Sequence, residues 1–195
     1  MKTYYDRRAP EYDEWWLGEG SYADRERPGW AEELRVLERL VAALPPVRTL
    51  DVACGTGFLT RHLPGEVVAL DASERMLDEA RKQAANARFV LGDALALPFA
   101  DGSFDRVFTS YFYCHLVEGD RLRFLAEARR VAAELVVVGS MLQKGLLRET
   151  WEGRSLNDGS RWTVYKRRFV PHELADELEA GEVLHEGRWF VVVRA

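Results

Sequence analysis

PPVRTLDVACGTG, residues 45–57, decides the fold of this chain of 195 residues. A short apolar strand, about Val47–Ala53, runs directly into a loop with the pattern Gly-x-Gly at Gly55 and Gly57. Glycine lets the backbone approach a ligand where a Cβ would clash, and the free amides that open the next helix attract anionic groups. The stretch therefore predicts either a tight strand-to-helix turn or the ligand-binding loop of a nucleotide-binding sheet.

Strands and helices alternate along the middle of the chain. Further strands are predicted over 66–71, 87–91, 104–111 and 134–140, and helices over 58–63, 74–84 and 120–132. Ser73 is a plausible N-cap of the second of these helices, and Leu122, Leu125, Ala128 and Val131 form the apolar face of the third. An earlier helix over 28–44 carries Trp30, Leu34, Leu37 and Val41 on one face. The chain closes with a helix over 171–180 and a hairpin of strands 182–185 and 188–194. This alternation implies parallel strands with helices on both faces. The predicted fold class is α/β: a doubly wound, Rossmann-like sheet of seven mostly parallel strands, closed by the antiparallel C-terminal hairpin.

The length suits one domain, residues 1–195. Four parts are expected within it. Residues 1–46 should form N-terminal lid or cap helices, and residues 47–140 should form the ligand-binding core. Residues 141–170 are expected to be a long connection that forms a substrate-side insertion. Residues 171–195 should form the closing helix and hairpin.

Composition excludes several classes of protein. Lys and Arg number 27 against 32 Asp and Glu, a net charge of −5, whereas dedicated nucleic-acid binders show the opposite balance. No apolar run approaches the roughly 20 residues of a bilayer span, and the first residues lack the apolar core of a signal peptide. Two cysteines cannot form a disulfide framework. We therefore expect a cytoplasmic protein without a DNA or membrane partner.

Two acidic residues follow the second and third predicted strands. Asp71 ends the strand that comes next after the glycine loop, and Asp93 occurs in Gly-Asp-Ala after the third strand. In a doubly wound sheet the first carboxylate would lie beside the glycine loop, where it can accept hydrogen bonds from a ribose diol. The second could accept from an adenine amine. Each aspartate alone could equally be a solvated strand-end or helix-cap residue, but together they outline a nucleoside site.

These motifs resemble the class I S-adenosylmethionine-dependent methyltransferases, specifically the methyltransferase type 11 group. The matching stretches are LDVACGTG (50–57), VVALDASERMLDEAR (67–81) and GDALALPFADGSFDRVF (92–108). The resemblance covers at least residues 47–140 and implies S-adenosyl-L-methionine as the cofactor. A dehydrogenase-type site is disfavoured, because Thr60 stands where a third glycine is expected.

The resemblance also implies roles for individual residues. Gly55 and Gly57 would pack against the methionine part of the cofactor, Asp71 would bind the ribose hydroxyls and Asp93 the adenine. The remaining residues expected at the cofactor are Asp51, Ala53, Thr56, Ala72, Met76, Ala94, Ser110 and Tyr12. The aromatic arm at the start of the chain, including Tyr4, Tyr5 and Tyr12, is expected to form a lid over the cofactor, since aromatic faces suit a sulfonium cation.

Methyl transfer is an in-line displacement that needs positioning, desolvation and, for some acceptors, removal of a proton. It requires no metal, and the histidines show no ligand spacing. Substrate should enter beyond the fourth strand, so Tyr111 and His115 are the candidate catalytic residues, with His115 either a general base or structural.

The predicted function is methyl transfer from S-adenosyl-L-methionine to a small-molecule acceptor. Two alternatives stay open: a non-catalytic regulatory protein that binds S-adenosylmethionine, and an RNA-modifying methyltransferase. RNA is not the favoured partner. The stretch 144–168 carries seven Lys or Arg against three Asp or Glu, and it reads as a solvated surface or as a surface that attracts RNA or a substrate carboxylate.

Overall fold

The computed structural model describes residues 1–195. Its strands are β1 (Val47–Val52), β2 (Gly65–Asp71), β3 (Ala87–Leu91), β4 (Phe104–Ser110), β5 (Ala132–Ser140), β6 (Glu149–Ser155), β7 (Arg161–Arg167), β8 (Glu182–Glu186) and β9 (Phe190–Arg194). Its α-helices are α1 (Lys2–Arg8), α2 (Glu14–Leu17), α3 (Trp30–Ala42), α4 (Glu74–Gln83), α5 (Glu118–Val131) and α6 (Pro171–Glu177).

Seven strands form one sheet in the order β3-β2-β1-β4-β5-β9-β8. The first five pair in parallel, while β9 runs antiparallel to both β5 and β8. The predicted fold class is therefore confirmed. The chain moves outward from β1 to β3 and then returns to place β4 beside β1. This reversal opens a crevice at the carboxyl ends of β1 and β4, the usual ligand position in such sheets.

The central strands are buried on both faces, which explains their continuous apolar sequences. In β2 every residue from Val67 to Asp71 is buried. On α3 the predicted apolar face is buried as a unit, with Leu37 and Val41 fully inaccessible. At the start of α4 the hydroxyl of Ser73 accepts a hydrogen bond from the Met76 amide at 3.2 Å, so the predicted N-cap is present.

Two local predictions are wrong. The segment predicted as a helix over 58–63 contains only the 3₁₀ turn Thr60–His62, because Leu63 adopts an extended backbone. Leu122, expected on the buried face of α5, is 64% exposed, and Phe124 takes the inward position. The long connection over 141–170 is ordered in its own right, since it contains a two-stranded sheet in which β6 pairs antiparallel with β7.

The N-terminal arm, residues 1–22, packs on the sheet domain through aromatic side chains. Tyr4 is buried with Leu156 and Val164, which joins α1 to the β6–β7 hairpin. Further along, the indole of Trp16 stacks on the ring of Phe58 with centroids 4.9 Å apart. The arm is thus ordered against both the central sheet and the hairpin. No helix of the structure has the length and apolarity needed to cross a membrane.

Candidate functional site

A cavity of about 260 Å³, here called the crevice cavity, opens at the carboxyl ends of β1, β2 and β4. Ala53 follows β1 and Tyr111 follows β4, and both line this cavity. Both residues have positive φ angles, 58° and 55°. A left-handed backbone costs a non-glycine residue roughly 1–2 kcal/mol. Strained residues of this kind concentrate at functional sites, which is consistent with their position at the switch point of the sheet.

The glycine loop and the acid after β2 form one hydrogen-bonded unit. The Gly55 amide donates to Oδ2 of Asp71 at 2.9 Å, and the Ser73 amide donates to Oδ1 at 2.8 Å. Burial raises the pKa of Asp71, while these backbone amides act in the opposite direction. Each carboxylate oxygen has a second lone pair, and Asp71 lines the crevice cavity. Asp71 can therefore still accept hydrogen bonds from a ligand.

Gly55 also allows a close approach to the arm. It adopts φ +57°, and a Cβ at this position would lie 3.6 Å from the Tyr12 ring. Tyr12 lines the crevice cavity opposite the glycine loop. Loop and arm thus enclose one part of the cavity between them.

Three other motif residues lie behind the wall of the crevice cavity. Asp51 accepts a hydrogen bond from Thr60 Oγ1 at 2.6 Å, and Thr56 Oγ1 donates to Asp13 at 2.5 Å. Gly57 packs on α4, where an added Cβ would meet Ala80 at 3.2 Å. None of the three motif residues lines the crevice cavity. In this structure Asp51, Thr56 and Gly57 hold the loop against Thr60, the arm and α4, and their expected contact with the cofactor stays a prediction.

The other predicted cofactor residues line the crevice cavity: Tyr12, Ala53, Gly55, Asp71, Ala72, Met76, Asp93, Ala94 and Ser110. Asp93 is exposed at the rim, and its Oδ1 accepts the Leu95 amide at 2.9 Å. The hydroxyl of Ser110 is buried and has no hydrogen-bond partner. Ser110 therefore adds an unpaired polar atom to the residues around the cavity.

A second cavity of about 280 Å³, here called the basic cavity, lies beside the first. The two share a wall made by Tyr12, Tyr111 and His115. Its other side chains come from residues 8–30, from residues 140–146, from β6 and β7, and from Arg168 and Trp189. The sequence did not reveal this cavity, since its residues are dispersed along the chain.

His115 is the one histidine at the shared wall. Its Nδ1 lies 2.6 Å from the carbonyl oxygen of Tyr165. A carbonyl only accepts, so Nδ1 carries the proton and Nε2 keeps its lone pair in the neutral ring. Burial, reinforced by the positive charge of Lys166, lowers the pKa of His115 well below its usual value. The imidazole is therefore neutral at physiological pH and able to accept a proton at Nε2.

The arm residues expected to form a lid divide into two groups. Tyr5 and Tyr12 line the crevice cavity. Tyr4 does not, because its ring is buried against Leu156 and Val164 of the hairpin. Tyr4 therefore packs the arm against the hairpin. Tyr5 and Tyr12 are the two residues for which the prediction of a lid remains.

The fold and this site define a class: Rossmann-like proteins that bind a nucleoside cofactor between a glycine loop and an acid after the second strand. The sequence profile of a methyltransferase domain matches residues 50–135. The chain belongs to the class I S-adenosylmethionine-dependent methyltransferases, as the sequence motifs predicted. The cofactor of this family is S-adenosyl-L-methionine.

Individual relatives agree with this assignment. The demethylmenaquinone methyltransferase of Thermotoga maritima is 39% identical over 102 residues, covering 50% of this chain and 43% of the relative. The malonyl-[acyl-carrier protein] O-methyltransferase of Pectobacterium atrosepticum is 33% identical over 148 residues, 71% of this chain and 56% of the relative. The chain thus spans about half the length of these curated relatives.

Solved structures match over nearly the whole chain. The complex of DhpI with SAH has a TM-score of 0.73 and 28% identity, and it covers 98% of this chain and 92% of DhpI. The DhpI-SAM-HEP complex has a TM-score of 0.74 and 26% identity, with 99% and 94% covered. The arm and the β6–β7 hairpin therefore belong to an architecture that also occurs in DhpI.

Proposed function

We propose that this protein transfers a methyl group from S-adenosyl-L-methionine to a small-molecule acceptor. The observation that carries the proposal is the pair of adjoining cavities. The crevice cavity has the groups that suit a nucleoside, and the basic cavity meets it at Tyr12, Tyr111 and His115. Two ligands bound in these cavities would face each other across one wall, the arrangement that direct transfer requires.

The residues of the crevice cavity would hold the cofactor. Asp71 would accept the ribose hydroxyls, and Asp93 would accept the adenine amine at the rim. Met76, which is 1% exposed, would pack against the adenine. Ser110 has a buried hydroxyl without a partner and would donate or accept a hydrogen bond with the ligand. Gly55, Ala53, Ala72 and Ala94 leave room for the backbone to approach it.

The bound cofactor would supply an electrophilic methyl group. The protein's task is then to orient the acceptor, exclude water and receive a proton where the acceptor carries one. His115 Nε2 would take that proton, and burial together with the Tyr165 carbonyl supports its neutral state and tautomer. Tyr111 would orient the acceptor, and its own pKa is raised far above the usual value by burial, so its hydroxyl stays protonated.

The terminal segments would complete the pocket. Residues 1–46 would supply a lid through Tyr5 and Tyr12, and residues 141–170 would form the acceptor side through β7. Residues 47–140 would bind the cofactor, and residues 171–195 would close the sheet.

Two measurements test the proposal. Calorimetry on the folded protein should show saturable binding of S-adenosylmethionine or S-adenosylhomocysteine with micromolar affinity. Methyl transfer from labelled cofactor should then be compared between a metabolite panel and total RNA. Label in a metabolite supports the proposal, whereas label in RNA alone would replace it with RNA modification. Tight cofactor binding with no transfer to either would indicate a regulatory protein.

A further inference from the structure

Positive charge is concentrated in the basic cavity. Six cationic side chains line it, against two carboxylates, Glu26 and Glu152. The six are Arg8, Arg25, Arg27, Arg154, Lys166 and Arg168. The chain as a whole has a net charge of −5, so this surplus of cations is a local property of the cavity.

Only part of this charge is neutralised within the protein. Glu152 forms ion pairs with both Arg154 and Arg168. Arg8 and Lys166 are 9% and 7% exposed, and neither has a carboxylate within ion-pair distance. Both are therefore buried cations without an ion-pair partner.

Their existing contacts compensate weakly for the missing counter-charge. The guanidinium of Arg8 donates to the hydroxyls of Tyr4 and Tyr22, at 2.6 and 3.3 Å. The Lys166 ammonium donates to Cys114 Sγ at 3.3 Å, a weak acceptor. Each cation also lies over an aromatic ring of the shared wall: Arg8 is 4.7 Å from the Tyr12 centroid, and Lys166 is 4.5 Å from that of Tyr111.

A buried charge without a partner destabilises a folded protein, and proteins normally pair such charges. Two of them at the wall of one cavity indicate that an anion completes the arrangement. Burial lowers the pKa of Lys166, and an adjacent anion would raise it again. The cavity of about 280 Å³ has the size of a small-molecule site rather than of a groove for a polymer.

We propose that the methyl acceptor is a small acid whose oxyanion, a carboxylate or a phosphoryl group, is bound in the basic cavity between Arg8 and Lys166. This inference rests on the proposed function and names its substrate class. The anchored acid would reach the shared wall, so its nucleophilic atom would lie beside Tyr111 and His115 and face the crevice cavity. Arg27, half-buried and also without a carboxylate partner, would add to the attraction from the cavity rim.

The test uses three probes on the full chain saturated with S-adenosylhomocysteine. Benzoate represents a carboxylate, inorganic phosphate a phosphoryl group, and benzamide is the neutral counterpart of benzoate. Calorimetry should show binding of at least one oxyanion and none of benzamide. Benzoate without phosphate, or the reverse, identifies which acid the cavity takes. Equal binding of benzoate and benzamide, or no binding of either oxyanion, would overturn the inference.

Lys166→Met is the decisive variant. It should weaken binding of the oxyanion at least tenfold and change S-adenosylhomocysteine affinity less than twofold. Arg161→Gln is the matched control, because Arg161 is an exposed cation of β7 outside both cavities, and it should leave oxyanion binding unchanged. If Lys166→Met does not fold, Arg27→Gln provides the same comparison with a smaller expected loss.

A second readout separates a binding role from a structural one. Because Lys166→Met removes an unpaired buried charge, the ligand-free variant should unfold at a higher temperature than the wild type. A structural lysine would give the opposite shift. Wild-type oxyanion affinity in Lys166→Met would refute the inference, as would displacement of the oxyanion by a tighter-binding short oligoribonucleotide. Failure of S-adenosylhomocysteine to bind would instead refute the proposed function.

Discussion

Replacing Asp51 with asparagine should change how stability depends on pH. Asp51 is 2% exposed, its Oδ1 has no hydrogen-bond partner, and its Oδ2 accepts from Thr60. Burial raises its pKa from 3.8 to about 7, against the opposing effect of the Thr60 hydrogen bond. The native protein therefore keeps a proton on this carboxyl over a range of pH in which the unfolded chain has lost it.

The size of the effect follows from the two pKa values. A difference of one pKa unit corresponds to about 1.36 kcal/mol, so a rise from 3.8 to about 7 corresponds to about 4 kcal/mol. The unfolded chain binds fewer protons between these values, so the free energy of unfolding falls as pH rises from about 4 to about 7 and then levels off. Asparagine has no charge and should remove this fall.

Urea unfolding at pH 5 and pH 8.5 measures how the free energy of unfolding depends on pH. Between pH 5 and pH 8.5 the free energy of unfolding of the wild type should fall by about 2–3 kcal/mol more than that of Asp51→Asn. This is less than the full effect because part of the fall has already occurred below pH 5. Asp105→Asn is the control, since Arg48 holds the pKa of exposed Asp105 below its usual value and its carboxylate is ionised at both pH values. An Asp51→Asn difference that is the same at both pH values would refute the reasoning.

Four further outcomes are expected. Asp71→Ala should weaken cofactor binding by about 1.5–3 kcal/mol and more than Asp93→Ala, because it removes a buried carboxylate that would bind two hydroxyls; calorimetry showing equal or reversed losses would contradict these roles. His115→Gln should slow methyl transfer roughly 10²–10⁴-fold with little change in cofactor affinity, and wild-type turnover between pH 6 and 7.5 should not fall with acidification, since burial keeps the imidazole neutral. Glu33→Ala should lower the free energy of unfolding by about 2–3 kcal/mol, measured in urea, because its carboxylate accepts backbone amides of the β8–β9 turn. Deleting residues 1–25 should reduce cofactor affinity and turnover, and unchanged values would assign the arm to packing alone.

The parallel core was predictable because its sequence signal is local. Val67–Leu70 is an unbroken apolar run, as expected for a strand buried on both faces, and the glycine loop marks where β1 ends. The β6–β7 hairpin was not predictable by the same means. Its strands, ETWEGRS and RWTVYKR, contain no continuous apolar run, and Val164 is buried in a cluster with Tyr4 from the N-terminal arm.

In the candidate site, too, positions set by the parallel strands were predictable from the sequence, and positions set by tertiary contacts were not. Asp71 and Asp93 were placed correctly at the cavity because parallel strands end at one edge of the sheet. The motif spacing did not show which side of the loop each residue faces, and it did not reveal that Thr56 and Gly57 lie outside the lining of the crevice cavity. The basic cavity combines Arg8 from the arm with Lys166 from β7, and only tertiary structure brings these cations together.

The wall of Tyr12, Tyr111 and His115 has a consequence for the order of events in a catalytic cycle. Each cavity has its own exposed rim, with Asp93 on one side and Arg25 on the other. The cofactor and the acceptor could therefore be bound at the same time. Double-reciprocal plots of the steady-state rate should then intersect instead of running parallel. S-adenosylhomocysteine should then compete with the cofactor but not with the acceptor. One molecule joining an adenosyl group to an acid would occupy both compartments at once and act as a bisubstrate inhibitor.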